Sequence, residues 1–231
     1  MLNVFPVISN AFFILPAVEA ADLRRWTRFM VYILMLINST LYHTCAGFAN
    51  GCVFDSVIHR HMDFFFAQWL IVLTALTFID FPDEWEFVER IIIIGSGFVI
   101  FLTEIALEES NYIQIVLAVV SLLMIVIYWI IYAVQNDGQF PPYDWSMLVM
   151  GLGCTALACN LYVTQLQYHA LYWATHSNWH VLAPFGQYFF LLMLPRKPDA
   201  EYKALDEELV SRSLTGAKGK QRPSLIKHFL K

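Results

Sequence analysis

Apolar residues along this chain fall in long blocks parted by short polar stretches, without the two-residue alternation of a half-buried strand. Seven blocks stand out, near 4–21, 29–48, 62–80, 88–107, 112–134, 145–165 and 171–194. Each approaches the ~20 residues that a helix needs to cross the hydrocarbon core of a bilayer. Short connections make neighbouring helices antiparallel. The pattern predicts an all-α membrane protein: a seven-transmembrane helix bundle over 1–195, then a tail, 196–231. Pro82, the Pro141-Pro142 pair and Pro195 fall at block ends, where a missing backbone donor does little harm. The weakest break is Glu108-Glu109-Ser110-Asn111, between the fourth and fifth blocks. Asn3–Ala21 lacks a basic leader, and Ala20-Ala21 is a poor cleavage signal, so the first block is read as a retained span.

Composition strengthens this class. Hydrophobic residues make up 58% of 231 positions and charged ones 14%, where a soluble domain has about a quarter charged. The net charge of -5 says little about partners, because nine of the fourteen Lys and Arg follow Pro195. Placement is more informative. Arg24, Arg25 and Arg28 flank the first connection, and with seven spans this connection and the basic tail share a side. The positive-inside rule assigns that side to the cytoplasm and the N-terminus to the outside. The acidic loop at 81–87 (Asp83, Glu84, Glu86) carries little weight in the rule.

That topology gives three histidines a common depth. His176 and His180 are four residues apart and share a helix face in the last span. His43 lies near the outer end of the second, one turn after Ser39. Asp63 opens the third span from the outer side. At ~1.5 Å per residue these groups lie roughly 5–15 Å below the outer surface. Ionisable side chains there are costly unless partnered or functional. Three imidazoles with a free position for water match a catalytic zinc site. A lone histidine in a span is more often bonded to a neighbouring helix; the i,i+4 pair at the depth of Ser39-x-x-x-His43 favours metal. Asp63 is then a base or an orienting group, or simply caps its helix. Ser39 either steadies a water or bonds back to its own helix. Asp55, the rival acid, belongs to the loop.

Other polar residues have blander readings. His59, Arg60 and His61 form a solvated interfacial patch, with lipid-phosphate contact as the second choice, and His169 is interfacial too. Glu104 snorkels outward or faces a cavity. Asn160 bonds between helices. Cys154 and Cys159 read as small packing residues. Cys45 and Cys52 face an oxidising space, where a bridge would tether the loop beside His43. Gly95-Ser96-Gly97 and Gly151-x-Gly153 permit close helix approach. The tail has a charge-alternating stretch, Lys203 to Arg212, that would form a short helix beginning near Asp199. Its basic end, from Lys218 to Lys231, either lies on anionic lipid or is disordered. It has no cysteine, which excludes palmitoylation there. No nucleic-acid motif appears.

Ser39-x-x-x-His43, Asp63 and His176-x-x-x-His180 on seven spans resemble the CREST superfamily of alkaline ceramidases, GPI-remodelling proteins and progestin and adiponectin receptors. "LYHTCAG", "RHMD" before a span and "HSNWHVLAPFGQYFFLLMLPRK" tighten the resemblance to the myomaker family of muscle-cell fusion proteins. The resemblance implies Zn2+ on His43, His176 and His180, with Ser39 and Asp63 beside it as the hydrolase positions. It further implies a plasma-membrane protein that promotes myoblast fusion, holds membrane phospholipid between its helices, forms a homodimer and works with a possible partner fusogen. The alternative is an intramembrane zinc-dependent lipid hydrolase, ceramidase-like, cleaving an amide or ester. A ligand-binding receptor is weakest, because nothing resembles a coupling surface. Vertebrate myomakers end in a cysteine-rich tail and lack Ser39; this chain has a basic tail and retains the serine.

Overall fold

The computed structural model describes residues 4–47, 52–79, 81, 85–107, 111–167 and 172–196, without the side chains of 107, 111 and 166. The chain divides into units Met1–Pro195 and Arg196–Lys231. Pro82, Asp83, Glu84, the 108–110 break, His169 and the tail beyond Arg196 lie outside the described residues.

Every apolar block is helical. The first is built of α1 (Val4–Ser9), a 3₁₀ turn (Asn10–Phe13) and α2 (Ile14–Asp22). The others are α3 (Trp26–Gly47), α4 (Ser56–Ile79), α5 (Glu86–Leu107), α6 (Asn111–Gln135), α7 (Trp145–Gln167) and α8 (Tyr172–Leu192). No strand occurs among the described residues. Five stretches are long and apolar enough to cross a membrane: Val4–Asp22, Trp26–Gly47, Ser56–Ile79, Tyr112–Gln135 and Trp145–Gln165. α5 and α8 are not among these five and carry buried polar side chains, Glu89 and Glu104 on one, His176, His180 and Gln187 on the other. Only 6% of the α6 window is buried, so its Val119, Leu122, Ile127 and Ile130 present a continuous apolar exterior. A soluble monomer rarely shows such a face. This is a membrane protein.

Prolines shape two of the helices locally. Pro16 cannot donate to the carbonyl of Phe12, and the chain winds into a 3₁₀ turn just before it. Pro184 lies inside α8 and cannot donate to the carbonyl of His180. α2 ends with Arg24 in the left-handed region (φ 58°), closed by Arg25 N–H to Ala20 and Arg24 N–H to Ala21, a Schellman ending on a non-glycine residue. α7 starts at an Asp144 cap, whose carboxyl the Ser146 hydroxyl and then the Met147 N–H hold below its usual range.

α4 is the hub, packing on α3, α5, α6 and α8, while α7 packs chiefly on α8. One core, with Phe13, Tyr32, Met35, Leu73 and Leu76, joins α4 to the first two blocks. A second, with Phe78, Tyr143, Phe190 and Met193, closes the end near Pro195. α7 and α8 approach closely at Gly151 and Gly186: a Cβ on Gly151 would lie 2.6 Å from the Phe190 ring, and one on Gly186 2.6 Å from Thr155 Oγ1. Gly97 makes similar room for the Trp69 indole. Gly95 and Gly153 face open space, so only one glycine of each sequence pair serves close approach.

The arginines at the first connection are more than loop charges. Arg24 is exposed, but Arg25 and Arg28 are buried on Glu89 of α5, at 2.6 and 2.7 Å. Arg28 also donates to Thr77 Oγ1 (2.6 Å) and the Leu76 carbonyl (2.9 Å), and Arg25 to the Phe81 carbonyl (3.1 Å). Each guanidinium fork satisfies several acceptors at once, which lets charge persist in an apolar bundle.

A candidate metal centre at the head of a cavity

Helices α3 and α8 bring His43, His176 and His180 together. Their Nε2 atoms form a triangle with sides of 3.2, 3.1 and 2.9 Å, and all three rings are buried. Ligand atoms of a tetrahedral ion with metal–nitrogen bonds of ~2.0–2.1 Å stand about 3.3–3.4 Å apart. The triangle is close to that spacing.

The far sides of two rings explain why the Nε2 atoms converge. Asn10 donates through Nδ2 to the Pro6 carbonyl (3.0 Å), which can only accept. Its Oδ1 is therefore the atom turned to His180 Nδ1, and that nitrogen must donate. His180 is held as the Nδ1–H tautomer, with a lone pair on Nε2. Gln165 Oε1 meets His176 Nδ1 at 2.8 Å and imposes the same tautomer. Two lone pairs then face each other at 2.9 Å, an arrangement that repels unless a cation lies between them. The donor set fits a metal ion, and the two amides are the outer hydrogen bonds that ligand imidazoles require. Ring orientation is fixed further by stacking: His176 between Tyr172 (4.7 Å) and Trp179 (5.7 Å), and Phe13 edge-on to His180 (6.4 Å).

Ser39 is buried one turn from His43, and Asp63 is buried in α4. Asp63 begins the third turn of a helix that starts at Ser56, so it caps nothing; Asp55 takes that place, accepting from Val57 N–H at 2.8 Å. Asp63 interacts with Ser39, yet Ser39 Oγ and Asp63 Oδ1 close no well-formed hydrogen bond. Both keep capacity for another partner. A Cys45–Cys52 disulfide ties the end of α3 to the segment entering α4, two residues beyond His43.

Asp63 and His176 line one open-sided cavity of about 710 Å³, bordered mainly by α4, α6, α7 and α8. Its head carries Tyr42, Arg60, Gln114, Gln165 and Tyr172; its walls are mostly apolar. α6 and α7 pack mainly on other helices, leaving the wall between them thin.

Several neighbours are placed differently from the sequence reading. His59 is buried and accepts from the Phe54 N–H (3.2 Å), so the supposed solvated patch is only Arg60 and half-buried His61. Glu104 does not snorkel: it is buried, accepts from Gln68 Nε2 (2.7 Å) and has His61 Nδ1 at 3.6 Å. Asn160 is exposed, and Cys159 is exposed on the cavity wall. Asn10 and Gln165 are the functional residues that sequence reasoning missed. The one signal for Asn10 was an amide isolated in an apolar run.

A family model described as "Protein of unknown function (DUF3522)" matches residues 1–181, a span that closes one residue past His180. The chain belongs to the DUF3522 family. The matched region holds both amides, all three histidines, Ser39 and Asp63, so the whole candidate centre of this DUF3522 member falls inside it. A comparison with curated proteins gives no match.

Proposed function

We propose that this chain is a seven-span plasma-membrane protein, N-terminus outside and tail cytoplasmic, that promotes cell–cell fusion of the myoblast kind. In this reading His43, His176 and His180 hold zinc, the cavity takes a membrane phospholipid, and the protein acts as a homodimer with a partner fusogen. The observation that carries it is the convergence of three imidazoles, on α3 and α8, one of which, His176, lines the head of a mostly apolar cavity. Three neutral imidazoles suit zinc and leave a fourth position. The myomaker-like segments around His43, Asp63 and His176–His180 supply the link to fusion. The test is expression on cells that do not normally fuse, each population carrying a different cytoplasmic dye. Mixed cytoplasm, alone or opposite a partner fusogen, is expected; its absence in both arrangements would refute the reading.

One observation favours a second reading, an intramembrane lipid hydrolase. Asp63 Oδ1 and Ser39 Oγ are buried with bonding capacity to spare, and Asp63 lines the cavity. His43, His176 and His180 would hold the zinc, which would supply Lewis-acid chemistry there. Asp63 would take a proton from the water that adds to the lipid carbonyl and return it to the amine or alcohol that leaves as the C–N or C–O bond breaks. Ser39 would steady that water, and the apolar walls would keep the lipid chain from bulk solvent. Lipid turnover that disappears in Asp63→Asn, with cytoplasmic mixing intact, selects this reading.

A further inference from the structure

We infer that the cavity is an acyl-chain ruler, with Gln187, Thr74 and Thr155 as a fixed floor that sets the length of chain the protein retains. The inference rests on the reading that a lipid occupies the cavity; the floor itself is a feature of the fold. At the head, Asp63 of α4 and His176 of α8 face the space, and at the other end Thr74 and Gln187 do. Each pair spans the same eleven residues of its own helix, so both walls run about 16 Å at ~1.5 Å per residue. That depth accommodates an extended chain of roughly a dozen carbons. On the α4 and α8 sides the lining between them is Ala67, Leu70, Ile71, Trp179 and Ala183, apolar but for the indole N–H.

Gln187 and Thr74 hold the floor in place because their polar groups are already paired. Gln187 Nε2 donates to Thr74 Oγ1 at 2.6 Å, and its Oε1 accepts from the Tyr32 hydroxyl at 3.2 Å. Thr74 in turn donates to the Leu70 carbonyl at 2.9 Å. Displacing these groups would leave buried polar atoms without partners. Below the floor the interior is filled. Phe78 meets Phe190 at 5.0 Å, Trp129 at 6.2 Å and Tyr143 at 6.3 Å, and Phe190 occupies the notch left by Gly151. The slot is blind at this end.

A ruler gives binding a break point. Against lipid free in water, each added pair of methylenes should strengthen retention about tenfold until the chain reaches the floor. Against micelles, which hold the same methylenes, the ratio should stay level to that length and fall beyond it. The test incubates the purified full chain with an equimolar mixture of lysophosphatidylcholines that differ only in saturated chain length. Bound lipids are counted by mass spectrometry and compared with what empty micelles carry through the same steps. Wild type should show the break at roughly a dozen carbons. Gln187→Ala should move the break at least one two-carbon step longer. Ala183→Phe, which fills the slot without touching the floor, should move it shorter, so the test does not depend on one variant's folding. Lipid retained with no break, or with a break that neither variant moves, overturns the ruler and leaves lipid occupancy standing. No lipid above the micelle control overturns the occupancy reading and the ruler with it.

Discussion

At the scale of single residues, the tautomers of His176 and His180 decide what the centre can do, and two amides set them. Asn10 is held by the Pro6 carbonyl so that only its oxygen can face His180, and Gln165 Oε1 serves His176. Replacing either amide by leucine should weaken metal binding about 10–100-fold without removing a ligand. Competition with a chelator of known affinity measures this, and unchanged affinity in both variants would contradict the assignment. The histidine pair was legible in the sequence because an i,i+4 pair of imidazoles in an apolar span is chemically conspicuous. Its partner Asn10 was not, because it is 170 residues from His180 and no local pattern encodes that distance. Asp63 was visible as an acid but ambiguous; only the helix start at Ser56 removes the capping role.

Helices are the next scale, and here packing tells apart residues that look alike in the sequence. Gly151 and Gly153 are two apart, yet a Cβ on the first strikes Phe190 while one on the second meets nothing within 4 Å. Gly151→Ala should therefore destabilise the protein by about 1–3 kcal/mol, and Gly153→Ala should not destabilise it, as read by thermal unfolding in detergent. A reversed order would mean that α7 and α8 cross elsewhere. Arg28→Met should cost about 3 kcal/mol or more, because Glu89, Thr77 and the Leu76 carbonyl lose a buried donor together. An exposed loop arginine would show almost no effect. Helix existence was legible because apolar blocks of spanning length have few other solutions. The burial of Arg25 and Arg28 was hidden, since it depends on Glu89, more than sixty residues away.

Across the whole molecule, helix ends from opposite parts of the chain meet to build one centre and one cavity. That arrangement needs the 3₁₀ turn of the first block, α3, α7 and α8 in register at the same depth, which the proposed topology provides with the N-terminus outside. An epitope before Val4 should be accessible on intact cells, and one in the tail only after permeabilisation; the reverse pattern would invert the account. The most direct test of the central claim is the metal content of the purified full chain by elemental mass spectrometry, wild type beside His43→Ala and His176→Ala. We expect about one zinc per wild-type chain and near none in either variant, as three imidazole ligands require. Equal zinc in all three proteins, or none in the wild type, would contradict it.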